Sequence, residues 1–305
     1  MRNYVIKRLI TGMISMFILI TITFCLTRSM PGSPFQSGNI PDNMVEAMEK
    51  EYGLDEPVVV QYQKYVENLL KGDMGISYKK QGVRVSEVIA RAWPYTAKIG
   101  ILAVIVSAVL GTILGIRQAC TKNPLVKEGI FLGTVLGGAV PGFAAALLLL
   151  LLFGVKLGWL PVSGLLTPAH YILPVCSLAL YPTTVVARMM NQSFSEEVNK
   201  EYVLMAKARG IKWRKIVFFH ILRHAWMPIL GYLGPAAAFL ITGSFATETV
   251  FNIPGLGREF VNAISGRDYT MIMGLTIFMG MVVILVNLLT DLIRMFLEPQ
   301  VRRSK

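Results

Sequence analysis

GIFLGTVLGGAVPGFAAALLLLLLFGV, residues 129–155, contains no aspartate, glutamate, lysine or arginine. A helix needs about 20 mostly apolar residues to cross the hydrocarbon core of a bilayer, so this stretch predicts a transmembrane span. Further uncharged runs of comparable length lie at residues 9–27, 99–116, 157–187, 225–247 and 269–290. The run at 157–187 opens with glycines and prolines typical of a loop, so its helix is predicted at residues 171–187. The sequence therefore predicts an all-α integral membrane protein with about six transmembrane helices.

The composition agrees with this class and argues against a nucleic-acid-binding protein. Hydrophobic residues make up 54% of the chain, charged residues 16%, and the formal net charge is +12. Nucleic-acid binding requires lysines and arginines gathered on one soluble face. Here they form short clusters between apolar runs, as in membrane proteins. We therefore expect no nucleic-acid partner.

The positions of the basic clusters predict the orientation in the membrane. Arg2, Lys7 and Arg8 precede the first apolar run, and positive residues favour the cytoplasmic side of short loops. That run is too long for the apolar part of a secretory signal, so it is predicted to remain as a span. Six crossings then place both termini and the strongly basic loop 188–224 in the cytoplasm.

One long segment, residues 29–93, is predicted on the other side of the membrane. Apolar residues recur there at helical spacing over 44–52 and 58–70, and Gly53 and Gly72 follow at positions where glycines end helices. This pattern predicts a small extracytoplasmic helical cap. The predicted organisation is a tail and first span at 1–28, the cap at 29–93, a core at 94–299 and a tail at 300–305.

The residues that would carry catalysis or ion coupling are missing from the predicted spans. Because proton- or ion-coupled carriers keep ionisable groups inside the membrane, their absence argues against a secondary transporter. No GxxxxGK[ST] loop is present to bind nucleotide phosphates, so this chain is predicted not to be an enzyme. The histidines and cysteines show neither metal-ligand nor acid–base spacing, so no catalytic residue and no metal site are predicted.

The basic loop 188–224 contains a predicted short helix. Ser193 and Glu196 have the spacing of a capping box, which predicts a helix start. Gly210 is placed to end that helix.

Apolar residues recur along this predicted helix at i, i+4 and i+7, at Val198, Tyr202 and Met205. Ala206 adds a small side chain that permits close approach to another surface. The periodicity fits equally a helix docked in a groove of a partner and a helix lying on the membrane interface.

The sequence of this loop resembles a known family. Residues 201–210, EYVLMAKARG, followed by HILRHA at 220–225, resemble the cytoplasmic loop of ABC-importer permeases. The resemblance implies a coupling helix that seats in a cleft of an ATPase subunit, through Tyr202, Met205, Ala206 and Gly210. Ala206 and Gly210 match the small residues of the motif. The position of the motif's opening acid holds Leu204 instead, and Glu201 lies three residues earlier.

Other fragments extend the resemblance to the B-type permease subunit of bacterial peptide importers, in matching order along nearly the whole chain. They are MPGSP at 30–34, YGLD at 52–55, KGDMG at 71–75 with Ser77, LPVSG at 160–164, TETV at 247–250, IPGLG at 253–257 and RDY at 267–269. Residues 17–23 and 234–244 are most similar to the oligopeptide permease.

The resemblance implies a type I ABC importer transmembrane domain, preceded by an N-terminal helix and the extracytoplasmic cap. The implied partners are a second homologous permease, two ABC ATPase subunits and an extracytoplasmic peptide-binding protein. ATP and Mg²⁺ would bind the ATPases, and this chain would bind no cofactor. The expected location is the bacterial cytoplasmic (inner) membrane. The expected cargo is oligopeptides; the alternatives are a dipeptide, nickel or glutathione permease and, from another class, an ion-coupled secondary transporter.

Overall fold

The computed structural model describes residues 2–30, 53–80 and 82–297, and helices dominate these ranges. Two compact units are present, Met1–Tyr95 with Pro254–Ile284, and Thr96–Ile253 with Leu285–Lys305. We number the helices of the described residues α1 (Arg2–Ser29), α2 (Val58–Leu70), α3 (Val85–Cys120), α4 (Pro124–Ala139), α5 (Gly142–Leu149), α6 (Ile172–Val198), α7 (Glu201–Ala208), α8 (Trp213–Ile216), α9 (Leu222–Thr242), α10 (Phe245–Val250), α11 (Leu256–Gly266) and α12 (Tyr269–Leu297). Leu150–Lys156 and Val217–Ile221 are π-helical, and Pro168–Tyr171 is a 3₁₀ turn.

Within the described ranges, length and composition identify five helices that could each cross a membrane. They are Val5–Ser29, Val85–Cys120, Pro168–Val198, Trp213–Thr242 and Tyr269–Phe296. Pro124–Ala139 and Gly142–Lys156 qualify together as a sixth span, but their axes are bent by 107°. The prediction of an all-α membrane protein with about six spans is confirmed.

The bend interrupts the predicted span at 129–155. Val140 has φ −80° and ψ 121°, and Pro141 follows it before the helix resumes. Because the proline ring clashes with a helical conformation of the preceding residue, α4 ends at Ala139. The Val-Pro pair at residues 140–141 was a sequence signal for this break, but the uninterrupted run of apolar residues favoured one straight helix.

Packing in the second unit shows which way the broken pair runs. Gly137, near the end of α4, lies against Thr184 of α6. Ala146 of α5 belongs to a buried cluster with Leu173 and Val175, nearer the start of α6. From α4 to α5 the chain therefore runs along α6 in the direction opposite to that of α6 itself. This continuous course favours one broken span over a re-entrant loop.

Glycines set the close helix contacts elsewhere in this unit. Gly111 on α3 packs against Val186 on α6, and Gly234 on α9 packs against Thr290 on α12. A Cβ at Gly111 would lie 2.6 Å from Val186 Cβ, and one at Gly234 would lie 2.9 Å from Thr290 Cβ. Small residues at such positions let membrane helices approach closely.

In the first unit, α1 packs antiparallel to α12. Gly12 lies against Ile284, and Gly280 lies against Leu19. The core of this unit includes Val85, Leu256 and Leu275, all 0% exposed.

The helix predicted at 58–70 is confirmed as α2, Val58–Leu70. Gly72 ends it with φ +82°, and its N–H donates to the Leu69 carbonyl at 2.9 Å. The helix predicted at 44–52 lies outside the described residues.

Candidate coupling helix and transmembrane cavity

The helix α7 begins later than the capping-box spacing predicted. Ser193 and Glu196 both lie within α6, which continues to Val198, so this predicted start is wrong. The physical reason is a buried stripe at i, i+4 and i+8 that extends α6: Val186, Met190 and Phe194 are at most 1% exposed. The loop predicted to begin at residue 188 therefore starts about three helical turns later, after Val198.

The predicted end of α7 at Gly210 is confirmed. Gly210 has φ +75°, a left-handed conformation that glycine adopts without steric cost. Its N–H donates to the Lys207 carbonyl at 2.9 Å, and the Ile211 N–H donates to the Ala206 carbonyl at 3.2 Å. This pair of hydrogen bonds is a Schellman motif, which satisfies the last carbonyls of the helix.

One face of α7 is buried against its own chain. Val203 is 0% exposed and Ala206 is 6% exposed. Both belong to a hydrophobic cluster that includes Met190 and Phe194 of α6 and Ile216 of α8. Ala206, which the resemblance assigned to an ATPase contact, thus lies in the core of the second unit.

Tyr202 connects α7 to the end of α6 through a hydrogen bond. Its hydroxyl donates to Glu197 Oε2 at 2.6 Å, and Lys200 Nζ pairs with Glu197 Oε1 at 2.5 Å. Burial raises the pKa of the Tyr202 hydroxyl, and the hydrogen bond to the Glu197 carboxylate raises it further. The hydroxyl therefore remains a protonated donor. The Tyr202 ring also lies 5.7 Å from the ring of His224, on α9.

The opposite face of α7 is exposed and partly apolar. Glu201, Leu204, Met205 and Ala208 are all exposed and occupy positions i, i+3, i+4 and i+7, which share one side of a helix. Leu204 is 57% exposed and Met205 is 56% exposed. We call these four residues the free face of α7.

The free face contains only part of the predicted coupling set. Met205 lies on it, and Gly210 is exposed beyond the helix end. Tyr202 is partly buried and Ala206 is buried. The exposed apolar side chain of Leu204 was not predicted, because the motif places an acid at that position. The i, i+3, i+4 spacing of Leu204 and Met205 from Glu201 was the signal that could have found it.

A cavity of about 530 Å³ lies in the second unit among α5, α6, α9 and α10. Its walls combine small and aliphatic residues with side chains that carry aromatic rings or hydroxyl groups. The rings and hydroxyl groups belong to Phe143, Ser177, Tyr181, Tyr232, Phe239, Ser244 and Thr247. No charged side chain of the described chain lines it. Such a surface can contact apolar groups and exchange hydrogen bonds with a polar backbone.

In the first unit, a buried carboxylate joins two motif fragments noted in the sequence. Asp268 is 3% exposed and accepts a hydrogen bond from the Ser77 hydroxyl. Its Oδ1 also accepts from the Tyr78 N–H at 3.1 Å and the Met271 N–H at 3.2 Å. Nearby, Lys80 Nζ pairs with Glu259 Oε2 at 2.6 Å. We call the contacts of Asp268 with residues 77, 78 and 271 the Asp268 network.

Family comparisons cover nearly the entire chain. The family described as "Binding-protein-dependent transport system inner membrane component" matches residues 94–303. Its N-terminal counterpart, "Binding-prot-dependent transport system membrane comp, N-term", matches residues 1–100.

Similar proteins of full length are known from several bacteria. The chain is 38% identical over 305 residues to the oligopeptide transport system permease protein OppB of Haemophilus influenzae, covering 99% of this chain and 100% of that protein. It is 34% identical over 306 residues to the dipeptide transport system permease protein DppB of Bacillus subtilis, covering 100% and 99%. OppB of Escherichia coli is 33% identical over 305 residues, with 99% and 100% covered.

Solved structures support the fold. The MetNI methionine ABC transporter in an inward-facing conformation aligns with a TM-score of 0.57 at 16% identity, covering 69% of this chain and 96% of that chain. An amino acid ABC transporter aligns with a TM-score of 0.53 at 16% identity, covering 68% and 94%. The fold is that of a type I ABC importer transmembrane domain.

Proposed function

The chain belongs to the family of binding-protein-dependent transport system inner membrane components, and we propose that it imports oligopeptides as one of two permeases in an ATP-driven complex. A second, homologous permease completes the pathway, two ABC ATPases bind ATP and Mg²⁺, and an extracytoplasmic binding protein delivers the peptide. The relative named an oligopeptide permease, at 38% identity, supports this cargo. Dipeptides are the second candidate, since a dipeptide permease is 34% identical.

The free face of α7 carries the coupling part of the proposal. Large apolar side chains that remain exposed on one side of a short, well-seated helix are typical of a docking surface. Leu204 and Met205 project from the side of α7 opposite Val203 and Ala206, which anchor the helix in its own chain. The ATPase cleft would therefore receive Leu204 and Met205, and Gly210 would allow the chain to turn away.

The seat of α7 provides a route for movement from an ATPase to the spans. Only Asn199 and Lys200 separate α6 from α7, and the Tyr202–Glu197 hydrogen bond bridges the same junction. Close-packed interiors transmit displacement because they have few voids to absorb it. Closure of the ATPase pair on ATP would move α7, and the shared cluster would carry that displacement into α6 and α9.

The cavity among α5, α6, α9 and α10 fits a segment of the peptide path. Its lining of rings and hydroxyls, without charged groups, offers contacts that suit many peptide sequences. A path of this kind has little means of separating peptides by charge, so the binding protein would choose the substrate. Exchanging the binding protein for a homologue of different preference should change which peptides enter, and an unchanged preference after a verified exchange would place selectivity in the permeases.

The proposed orientation has both termini and α7 in the cytoplasm of a bacterial cell, and residues 53–80 outside its cytoplasmic membrane. The basic residues around α7 and the single crossing formed by α4 and α5 support it. In a background without cysteines, Lys79→Cys should react with an impermeant thiol reagent added outside intact cells, whereas Lys212→Cys should not. The reverse result would invert the topology and remove α7 from any cytoplasmic ATPase.

Crosslinking the assembled complex tests the docking surface. Met205→Cys in the cysteine-free chain should crosslink to an ATPase subunit that carries cysteines around its cleft. Val203→Cys is the matched control, because Val203 is 0% exposed and faces the permease core. Crosslinks from position 203 but not from position 205 would reverse the assignment of the two faces.

Energy dependence separates this proposal from an ion-coupled carrier. Proteoliposomes that contain the complex, the binding protein and internal ATP should accumulate peptide without an ion gradient. Accumulation driven by a proton or sodium gradient after removal of ATP would contradict the proposal.

A further inference from the structure

A second cavity, of about 420 Å³, lies in the first unit where α1 ends beside α2. Its walls include Arg28 of α1, Gln61 and Tyr65 of α2, and residues of the segment 73–78. Its volume is within the range of small-ligand sites. The proposed peptide path does not include this cavity.

Three residues that line this cavity each carry a buried polar atom without a partner among the described residues. Six buried side-chain atoms in the described part of the chain lack a hydrogen-bond partner, and three of them belong to residues that line it: Arg28 Nε, Gln61 Oε1 and the Tyr65 hydroxyl. Leaving a buried donor or acceptor unpaired costs the desolvation of that group. Three such atoms on residues around one space favour a polar ligand there.

The orientation of Gln61 is fixed by its amide nitrogen. Nε2 donates to the Leu54 carbonyl at 3.1 Å and to the Glu56 carbonyl at 2.6 Å, which uses both amide hydrogens. Oε1 must therefore be the unpaired atom, and Gln61 is only 8% exposed. An acceptor held in this way requires a ligand that offers an N–H or O–H donor.

Arg28 and Tyr65 supply the complementary chemistry. The Arg28 guanidinium lies 5.5 Å from the centre of the Phe24 ring and forms no ion pair within the described residues. Burial raises the pKa of the Tyr65 hydroxyl, so this group remains a donor. Guanidinium and hydroxyl donors together suit an anionic oxygen, phosphate above all.

The position of the cavity favours a lipid. Arg28 lies in the last turn of α1, at the end of the apolar span Val5–Ser29, which is where the headgroups of a bilayer are expected. Ile18, Ile22 and Leu26 are 49%, 52% and 64% exposed along the same helix, where acyl chains can cover them. An ethanolamine phospholipid joins a phosphate, an N–H donor and acyl chains in one ligand.

We propose that this cavity binds the phosphoethanolamine headgroup of a membrane phospholipid. The phosphate accepts hydrogen bonds from Arg28 and the Tyr65 hydroxyl, and the ammonium donates to Gln61 Oε1. Asp73 also lines the cavity and supplies negative charge near the ammonium, whereas the Glu56 carboxylate is already paired with Lys64 Nζ at 2.5 Å. The choline headgroup carries the same phosphate but no N–H, so Gln61 would discriminate against it.

Native mass spectrometry of the full chain, purified with its associated subunits, tests this site. The protein is equilibrated with nanodiscs that contain equal amounts of phosphatidylethanolamine and phosphatidylcholine with identical acyl chains. It is then released from the nanodiscs, and the lipids that remain bound to it are counted. Loss of one fixed hydrogen bond to a charged group corresponds to about tenfold in binding, so the ethanolamine lipid should be retained about tenfold over the choline lipid.

Tyr65→Phe and Arg28→Gln should each lower retention of the ethanolamine lipid by about tenfold. Tyr62→Phe is the matched control: its hydroxyl bonds Thr21 Oγ1 at 2.7 Å and does not line the cavity, so retention should be unchanged. If Arg28→Gln fails to assemble, Tyr65→Phe alone decides the result, because it removes a single oxygen.

Three results would overturn the proposal. The first is equal retention of the two lipids by the unaltered protein. The second is displacement of the lipid by inorganic phosphate as effectively as by soluble phosphoethanolamine, which would identify a phosphate site without a lipid. The third is displacement by a short zwitterionic peptide at lower concentration than by phosphoethanolamine, which would assign the cavity to peptides. None of these results depends on ATP-driven uptake.

Discussion

Two short segments outside the spans differ in how far polar contacts hold them. The helix α7, in the second unit, is seated mainly by apolar packing of Val203 and Ala206. Residues 73–80, in the first unit, add hydrogen bonds of Ser77 and Tyr78 to the buried Asp268 to the packing of Met74 and Tyr78. A helix that is packed on one side keeps its other side available for a partner. In a polar network, the hydrogen-bonding groups of the segment are already occupied by contacts within the chain. The exposed side of α7 can therefore receive a partner, whereas residues 77 and 78 are fixed within their own unit.

Ala206→Glu should destabilise the permease more than any other substitution considered. It introduces a carboxylate at a position that is 6% exposed, among Met190, Phe194 and Ile216. A buried charge without a partner costs about 4 kcal/mol or more of the free energy of unfolding. The protein should fail to accumulate in membranes or lose its thermal transition, as measured by immunoblotting and by intrinsic tryptophan fluorescence.

Ala208→Glu is the matched control for this substitution. Ala208 belongs to the same helix but is exposed, so the variant should accumulate and unfold like the unaltered protein. Normal accumulation of Ala206→Glu would show that α7 is not seated as described.

Asp268→Ala tests the polar side of the comparison. It removes the acceptor for the Ser77 hydroxyl and for two backbone N–H groups, leaving buried donors unpaired. We expect a loss of roughly 3 kcal/mol in the free energy of unfolding, measured by thermal unfolding of the purified protein.

Asp268→Asn is the conservative control. Its amide oxygen can still accept from the backbone, so about half of the loss should be recovered. Equal stability of Asp268→Ala and the unaltered protein would mean that the network does not hold residues 73–80.

Local sequence signals predicted elements whose stabilising contacts are themselves local. Gly210 ends α7 and Gly72 ends α2 as expected, because a left-handed glycine and its two hydrogen bonds involve neighbouring residues. The start of α7 was predicted wrongly, since the continuation of α6 depends on burial of Met190 and Phe194 by distant residues.

The burial of Ala206 could not be read from periodicity for the same reason. An alanine on a short amphipathic helix fits a partner's groove and the chain's own core equally well. The pairing of Ser77 with Asp268 joins positions 191 residues apart, and no spacing rule within one sequence connects them. The two motif fragments were recognised separately, and their contact emerged only from the fold.

Gly210→Val should have an intermediate effect that arises from the backbone alone. A Cβ at Gly210 meets no atom within 4 Å, so steric crowding does not contribute. Its φ of +75° costs a β-branched residue about 1–2 kcal/mol. Thermal unfolding should show this loss, and Gly210→Asn, which tolerates the left-handed region, should lose less. A loss as large as that of Ala206→Glu would require a contact that the structure does not contain.

Met205→Glu should change the free energy of unfolding least, by no more than about 0.5 kcal/mol, because the side chain is 56% exposed. Its effect should appear only with the ATPases, since docking would bury the new carboxylate in a cleft suited to an apolar group. We expect binding-protein-stimulated ATP hydrolysis and peptide uptake in proteoliposomes to fall by at least about tenfold.

Met205→Leu should retain both activities, and Lys212→Ala, exposed beyond the helix, should be nearly normal. If Met205→Glu keeps assembly, hydrolysis and uptake intact, the free face of α7 is not the coupling surface, and a helix resting on the membrane interface becomes the better description.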